Sequence, residues 1–436
     1  MSERRRAARS AAALSLALAL PLALALPLAT AWGRAPALQD ESEDPFAGGG
    51  TLRLAVGNGL TALVVADPKA AEVTVRLEVA PGAAADPEGK EGLAAVTFAA
   101  LLGEKSGDFP GGAVEPGPAT TTVRFRVAAR AFGPALGALA ARLAAAGAGP
   151  APASFEAARQ AAIERAKSPA AAADRALTAL LFGSGHPAAR AWGGSADTLG
   201  AIRIDDARAI LGPGIAASRS TLAVVGPIVG VDALAEIPIR LAAWPGKKAP
   251  AASTASAAIP RQGRRAALVP AAGDSHEVRA AFLLPPRSDA RLPRAATAAA
   301  AALRSLAGAA PGSLELRFHG RRADASVLVV AFRAARPEDA AAALAQAEAA
   351  LAGARAAAAR PEGAVPGADS LPPDWRAAIA LLESNPDEDG SAPKPAAGAA
   401  APPAIDLDAW AAVIAGPAAE KADAALRAGG FAVEKR

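Results

Sequence analysis

The feature that most constrains the fold is a turn signal between two apolar runs. Asn58-Gly59 separates residues 52–56, in which apolar and other side chains alternate, from the largely apolar run 60–65. Asn-Gly favours the tight turn that joins two antiparallel strands, so this segment predicts a hairpin. An antiparallel hairpin followed by helices excludes strict alternation of parallel strands with helices and favours an α+β fold.

Patterns along the rest of the chain predict the same mixture of elements. A strand is expected at 73–79, where valine and leucine alternate with other residues, and a helix from about Glu91 to Leu102. Further strands are predicted at 123–127, 221–225, 266–269, 278–284 and 326–332, and further helices at about 131–147, 154–167, 171–182, 204–211, 294–306, 337–359, 407–414 and 418–426. The two halves have a similar order of elements, which is consistent with an internal duplication.

The chain of 436 residues is too long for one ordinary hydrophobic core and predicts two tandem domains. Each domain is expected to be a mostly antiparallel sheet with helices packed on one face. Composition places the boundaries at 1–31 for a signal peptide, 32–50 for a flexible lead-in, 51–245 for the first domain, 246–262 for a linker, 263–383 for the second domain, 384–404 for a disordered linker and 405–436 for a C-terminal docking segment.

The N-terminal segment has the features of a secretory signal. Four arginines, beginning with Arg4, precede an apolar run at 11–28, and residues 29–31 supply the small side chains of a cleavage site. The run also approaches the length of a membrane span, so an uncleaved anchor is the alternative, although two prolines in it favour removal. We therefore expect export, most simply to a bacterial periplasm, with membrane contact only through this segment if it is retained.

Composition excludes several classes of function. The net charge of +4 comes largely from the signal segment, so the remainder of the chain gives no electrostatic reason to bind nucleic acid. Aromatic residues make up only 4% of the chain and tyrosine is absent, which argues against platforms that stack bases or sugars. The chain has no cysteine, so disulfides, cysteine nucleophiles and cysteine metal sites are excluded.

Several segments of the first half form a recognisable series. They are Asn58-Gly59-Leu60, the run Gly82 to Ala94 with its Asp86-Pro87-Glu88-Gly89 turn, Leu181-Phe182-Gly183 with His186-Pro187, Trp192-Gly193-Gly194, Asp205-Asp206 and the strand Ser220 to Gly226. This series resembles the insulinase/pitrilysin family, which includes the mitochondrial processing peptidases. The resemblance covers about 44–227, whereas over 263–436 it rests mainly on the order of elements. It implies a fold of the mitochondrial-processing-peptidase type.

The resemblance also identifies a missing metal site. Active members carry His-x-x-Glu-His on the helix that follows Gly-Leu-Ala, where the two histidines bind Zn²⁺ and the glutamate activates water. Aligned on that signature, the positions are occupied here by Ala95, Phe98 and Ala99. The third ligand of the family, a glutamate, falls near Arg165, although neighbouring Glu164 leaves that register open. We expect the alanines to pack as in an ordinary helix and Phe98 to fill the volume left by the metal.

Residues elsewhere in the sequence do not restore the site. His186, His276 and His319 are the only histidines, and no two have the spacing of a local zinc helix. We expect a structural role for His186, surface exposure for His276 and a turn for His319. Active members also use an arginine and a tyrosine of the second domain to hold the substrate carbonyl, and this chain has no tyrosine.

The resemblance then implies a function without catalysis. In this family, silent chains pair with zinc-bearing chains and help to enclose an unfolded peptide. We therefore expect an exported, catalytically inactive protein with no cofactor, whose partners are an active zinc peptidase subunit of the same family and a peptide substrate. Two alternatives remain open. One is a zinc-dependent endopeptidase with a non-standard metal site, and the other is a structural envelope protein that has no peptidase partner.

Overall fold

The computed structural model describes residues 51–436 apart from 104–106, 184, 212–214, 229–231, 247–258, 261–262, 305, 307–313, 321–324, 361–363 and 384–402. The predicted signal peptide 1–31 and lead-in 32–50 lie outside the described residues, as do nearly all of the predicted linkers 246–262 and 384–404. The domain boundaries given above therefore stay predictions.

A six-stranded sheet organises the first half of the described chain. Its strands are β1 Thr51–Ala55, β2 Thr61–Ala66, β3 Val73–Val79, β4 Ala113–Pro116, β5 Thr121–Val127 and β6 Thr221–Gly226, and the helices are α1 Leu93–Leu102, α2 Phe132–Ala144, α3 Pro152–Ala166, α4 Pro169–Phe182, α5 Ala196–Ala201, α6 Ile204–Leu211 and α7 Ala233–Leu241. The strand order is β1-β2-β6-β3-β5-β4, and only β2 and β6 run parallel. The predicted hairpin is confirmed, with Thr51 opposite Val65.

A second six-stranded sheet organises the remainder. Its strands are β7 Arg265–Pro270, β8 His276–Leu284, β9 Glu315–His319, β10 Ser326–Ala334, β11 Asp406–Gly416 and β12 Ala432–Lys435, and the helices are α8 Leu292–Arg304, α9 Pro337–Ala359, α10 Pro373–Glu383 and α11 Asp423–Ala428. The strand order is β12-β7-β11-β8-β10-β9. Strand β7 runs parallel to both of its neighbours, and the other pairs are antiparallel.

The two sheets share one topology over five strands. The order β2-β6-β3-β5-β4 in the first sheet corresponds to β7-β11-β8-β10-β9 in the second, with the same parallel and antiparallel pairs. The sheets differ at the sixth strand, because β1 pairs antiparallel with β2 and β12 pairs parallel with β7. This correspondence agrees with the α+β fold of two mostly antiparallel sheets and with the predicted internal duplication.

The prediction of a helix at 407–414 is wrong, because Asp406–Gly416 forms a strand in the interior of the second sheet. Its run of apolar residues does not reveal a period of two, since the strand is buried on both faces. Ala411 and Val413 face one core, whereas Trp410 and Ile414 face the other. The segment 405–436 therefore completes the second sheet with β11 and β12, rather than docking onto it from outside.

The apolar helices α1, α2 and α7 cover one face of the first sheet. Phe98 of α1 and Phe132 of α2 are buried there together with strand residues such as Val75 and Phe125. The stretch Ala129–Ala148, which includes α2, is by length and composition also apolar enough to cross a membrane. In the structure, the residues of α2 instead contribute to this core.

Each half supplies one helix to the opposite sheet. Helix α4 of the first half packs on β8 and β11, where Leu177 and Leu180 contact the cluster around Val413. Helix α10 of the second half packs on β2, β3 and β6, where Leu381 contacts the cluster around Val225. Both helices lie in the connection between the fourth and fifth strands of the shared topology. The exchange packs the two halves against each other, and it places α4 beside α3.

Candidate functional site

A cavity of about 420 Å³ lies between the two halves. It is bounded by α1, α3 and α4, by strand β4 at the edge of the first sheet and by strand β9 at the edge of the second. Its charged lining residues are Glu115, Arg165, Asp174, Arg175, Glu315 and Arg317. Much of the remaining wall is alanine and glycine, so the cavity combines an apolar surface with a ring of charged groups.

Asp86 determines where α1 begins and thus how it meets the cavity. Its carboxylate accepts hydrogen bonds from the backbone N–H groups of Gly92 at 2.8 Å and of Ala94 at 2.9 Å. Gly92 has φ of 93°, a conformation that favours glycine, immediately before the first helical residue. Burial raises the pKa of Asp86 to about 7, although these N–H groups favour its ionised form.

Three of the four positions predicted to be vacated surround the same cavity. Ala95 and Ala99 line it from α1, and Arg165 lines it from α3. Because Ala95 and Ala99 are four residues apart, their side chains lie on one face of the helix. The positions that the resemblance assigns to the metal ligands therefore present two methyl groups and a guanidinium to one cavity.

Phe98 is placed differently from the expectation. Its side chain is only 1% exposed and packs in the core of the first sheet with Phe125 and Phe132, and it is not among the residues that line the cavity. The expectation that Phe98 fills the volume left by the metal is therefore wrong. The physical reason is that an apolar ring at this position gains more by joining the existing aromatic core than by facing an open space.

On the β4 side of the cavity, Glu115 is held by two arginines. Arg76 lies 2.5 Å from its carboxylate, and Arg124 is paired with the other oxygen. Burial alone would raise the pKa of Glu115, but Arg76, Arg124 and the more distant Arg317 keep that pKa below its usual range. Glu115 is therefore an ionised structural group and not a general base.

On the α4 side, Asp174 is held in the same way. Arg279 of β8 donates to its carboxylate at 2.8 Å, and Arg317 of β9 lies 3.4 Å from the same oxygen. These guanidinium groups outweigh the effect of burial and hold the pKa of Asp174 below its usual range. Glu315 also lies 3.3 Å from Arg317. Every carboxylate that lines the cavity, among the residues described, is therefore in an ion pair.

The histidines do not gather at the cavity. His186 accepts a hydrogen bond from the backbone N–H of Ala188 at 2.9 Å, in agreement with the structural role expected for it. The expectation of surface exposure for His276 is wrong, because this residue is 3% exposed and its Nε2 lies 2.7 Å from the carbonyl of Pro417. Over the described part of the chain, no three acidic or histidine side chains are grouped as a metal site.

His319 was expected in a turn but is the last residue of strand β9. Its ring lies edge-on to Trp192, with centroids 4.7 Å apart. Burial, assisted by the nearby Arg317, lowers its pKa to about 4, so the imidazole is neutral at physiological pH. It therefore joins the second sheet to the Trp192 loop as an uncharged packing group.

Two strand edges at the cavity were not found from the sequence. Among the described residues, β4 pairs only with β5 and β9 pairs only with β10, so each has one edge without a strand. The two strands approach each other where a Cβ on Gly117 would lie 3.2 Å from Nδ1 of His319. Both strands are short and carry charged residues or proline, which hides them from a search for alternating patterns.

Comparisons with known proteins show the fold. A scan against family models finds no match, and a search of curated proteins finds none. A protease from Helicobacter pylori is similar over 84% of this chain and 99% of its own, with 13% identity and a TM-score of 0.51. A chain of complex III2 from Candida albicans is similar over 84% of this chain and 96% of its own, with 13% identity and a TM-score of 0.50.

A further similar structure is the peptidase M16 inactive domain from Pseudomonas fluorescens. It is similar over 84% of this chain and 98% of its own, with 16% identity and a TM-score of 0.49. Identities this low show the fold alone. At that level, the fold of two α+β halves that the resemblance implies is confirmed.

Proposed function

We propose that this chain is an exported, non-catalytic insulinase/pitrilysin-like protein that holds an unfolded peptide next to an active zinc peptidase subunit. The observation that carries the proposal is the set of side chains around the cavity. Ala95 and Ala99 of α1 and Arg165 of α3, which the resemblance aligns with the zinc ligands of active members, line the same cavity. A methyl group has no lone pair to donate, and a guanidinium repels a divalent cation.

Among the described residues that line the same cavity, no side chain is a suitable base for activating water. Glu115 and Asp174 are both bound by arginines, and their lowered pKa values make them weak bases at neutral pH. Asp86 has a pKa near 7, but its carboxylate accepts the N–H groups at the start of α1 and does not line the cavity. Binding without hydrolysis is the activity that this chemistry supports.

Peptide binding is supported by the two open strand edges. Strand β4 borders the cavity along 113–116, and strand β9 borders it at Glu315 and Arg317. An extended peptide can pair with such an edge through its backbone while alternate side chains enter the adjoining space. The alanine-rich wall suits apolar side chains, and the charged ring suits polar ones. An unfolded segment is therefore the ligand that fits this site.

The partner and the location are inferred from other features. The similar chain from Candida albicans is part of a complex, complex III2, which supports assembly with other subunits for this fold. The arginines before the apolar run at 11–28, and the small residues after it, support export. Together they favour a periplasmic pair in which the partner supplies the zinc and this chain supplies part of the enclosing wall.

The decisive experiment measures metal and turnover on the purified mature chain. We expect less than stoichiometric zinc, no zinc-dependent cleavage of an unstructured fluorogenic peptide, and saturable binding of that peptide by fluorescence anisotropy. One zinc per chain together with turnover would instead support the alternative of an unconventional peptidase. Isolation of the native complex should then recover a chain with an intact His-x-x-Glu-His helix. If the native protein carries no such chain, the structural envelope alternative is favoured.

A further inference from the structure

We infer that the cavity recognises a carboxylate of the bound peptide, either its C-terminal group or an acidic side chain, through Arg175 and Arg317. This inference rests on the proposed function, because it names the kind of peptide that the same site would take. It also gives a role to the arginines of this cavity, because guanidinium groups can attract an oxygen of the peptide.

The charge around the cavity indicates which kind of ligand it attracts. Among the described residues, three arginines and three carboxylates line it, namely Arg165, Arg175 and Arg317 with Glu115, Asp174 and Glu315. The ion pairs behind them add Arg76, Arg124, Arg279 and Glu277. Over this whole set the arginines outnumber the carboxylates by two. Positive charge at the wall of a largely apolar cavity attracts an anion more strongly than it would in bulk water, because water screens it less.

The arginines around the cavity differ in whether they have donors left for a ligand. Glu115 and Asp174 are bound closely by Arg76 at 2.5 Å and by Arg279 at 2.8 Å, and neither arginine lines the cavity. Arg317 does line it, and its contacts with Asp174 and Glu315 are longer, at 3.4 and 3.3 Å. A guanidinium with five N–H donors and such loose contacts keeps donors for a further acceptor.

Arg175 of α4 gives the second donor. Its Nη1 donates to the backbone carbonyl of Ala166 at 2.9 Å, and no carboxylate of the described residues pairs with it. That bond fixes the side chain at the cavity wall without neutralising its charge. Arg175 and Arg317 thus approach the space from different halves of the chain. A guanidinium suits the planar carboxylate group, because it can donate two parallel hydrogen bonds to it.

The size of the cavity and the strand edges beside it indicate a peptide ligand. A volume of about 420 Å³ falls within the range of small-ligand sites, so it admits a short stretch of peptide and not a folded domain. The open edges of β4 and β9 favour a peptide over a free anion, because they can pair with its backbone. The carboxylates that a peptide carries are its terminus and its Asp and Glu side chains, and both present the same group to an arginine.

The test compares matched peptides on the full mature chain. One labelled, unstructured peptide is made with a free C-terminus or a C-terminal amide, and with internal glutamate or glutamine, and a phosphoserine version is added. We expect removal of the relevant carboxylate to weaken binding about ten-fold or more, the scale of a charged hydrogen-bonded pair. If the C-terminal amide weakens binding, the terminus is recognised, and if the glutamine substitution weakens it, an acidic side chain is recognised.

Variants of the chain give the second readout. Arg175→Gln should weaken binding of the carboxylate peptide about ten-fold but leave binding of the neutral peptide nearly unchanged. The matched control Arg336→Gln, an exposed arginine at the start of α9 paired with Asp339, should change neither. Thermal unfolding of each variant checks that it is folded. Among the described residues, Arg175 bonds to one backbone carbonyl, so its loss is not expected to unfold the chain.

The outcomes separate the two proposals. Equal binding of the acid and neutral peptides overturns the carboxylate inference and leaves the peptide-holding function intact. Tighter binding of the phosphoserine peptide alone overturns the choice of carboxylate. Failure to bind any peptide overturns the proposed function, and this inference with it. A loss on Arg175→Gln that is equal for acid and neutral peptides also contradicts the inference, because it would show a structural effect.

Discussion

Arg279 of β8 donates to Asp174 of α4 at 2.8 Å, and this bond joins the second sheet to the helix that the first half sends across it. The Arg279 side chain is 5% exposed, so it depends on Asp174 and on Glu277, 3.1 Å away, for compensation of its charge. Asp174 also faces the cavity. Asp174 therefore contributes both to the contact between the two halves and to the charge of the site.

Asp174→Asn should destabilise the fold by about 2 kcal/mol. The change leaves Arg279 and Arg317 without a shared carboxylate, although the 38% exposure of the Asp174 side chain lets water reduce the cost below that of a fully buried pair. Urea unfolding followed by circular dichroism measures the change. The control is Asp205→Asn, since the Asp205–Arg208 pair is exposed on α6 and should contribute less than about 0.5 kcal/mol. Equal effects of the two substitutions would contradict this account.

Glu78 should make stability fall in acid. Arg287 lies 2.8 Å from its carboxylate and, despite burial, holds its pKa below the ordinary 4.5. The stabilisation is present above about pH 4.5 and is lost as pH falls through the lowered pKa of the folded state. Glu78→Gln should therefore cost about 2 kcal/mol at pH 7 and progressively less below pH 4.5. Urea unfolding at several pH values tests this.

The matched control for Glu78 is Glu164→Gln. Glu164 pairs with Lys167 on the exposed end of α3, so its loss should change stability by less than about 0.5 kcal/mol at every pH. A Glu78→Gln penalty that stays constant from pH 7 to pH 3 would show that shape, and not charge, is what Glu78 contributes.

Much of the fold followed from local patterns. The hairpin around Asn58-Gly59 and the long helix at 337–359 were correctly predicted, because turn chemistry and alanine-rich composition act locally. Strand β11 was not, since a strand buried on both faces has no alternation to detect. The exchange of α4 and α10 between the halves is a tertiary arrangement that local patterns do not contain.

The candidate site was predicted in part. The resemblance located Ala95, Ala99 and Arg165, which the structure brings to one cavity. The arginine network around Glu115 could not be foreseen, because its members come from separate strands and meet only in the folded sheet. The position predicted for the Phe98 side chain was wrong, because the sequence indicates the face of a helix only roughly. In the structure this side chain packs in the aromatic core of the first sheet.

Asp86 should have the opposite pH dependence to Glu78. Burial raises its pKa from 3.8 to about 7 in the folded state, so its contribution to stability is fully present below about pH 3.8 and is lost as pH rises to about 7. Asp86→Asn removes this titration. The difference in unfolding free energy between the wild type and the variant should thus fall with rising pH across that window, by at most about 4 kcal/mol.

The capping role of Asp86 sets the starting point of this comparison at low pH. Like the protonated acid, the asparagine amide has one strong acceptor oxygen for the N–H groups of Gly92 and Ala94, so the variant should differ from the wild type by less than about 1 kcal/mol at low pH. Unfolding free energies at pH 4, 5.5 and 7 separate this starting difference from the change with pH. A wild-type advantage that grows toward pH 7 would contradict the raised pKa.

The geometry of the vacated site predicts that metal binding can be built back in. Ala95→His with Ala99→His places two imidazoles on one face of α1 toward the cavity, and Arg165→Glu adds a carboxylate from α3. We expect the double variant to bind one Zn²⁺, the triple variant to bind it more tightly, and Ala95→His alone to bind weakly. Titration with a competing zinc indicator measures all three. Because Phe98 remains in the core and no glutamate replaces it, none should hydrolyse peptide. Equal zinc affinity of the double and triple variants would place the third ligand elsewhere than residue 165.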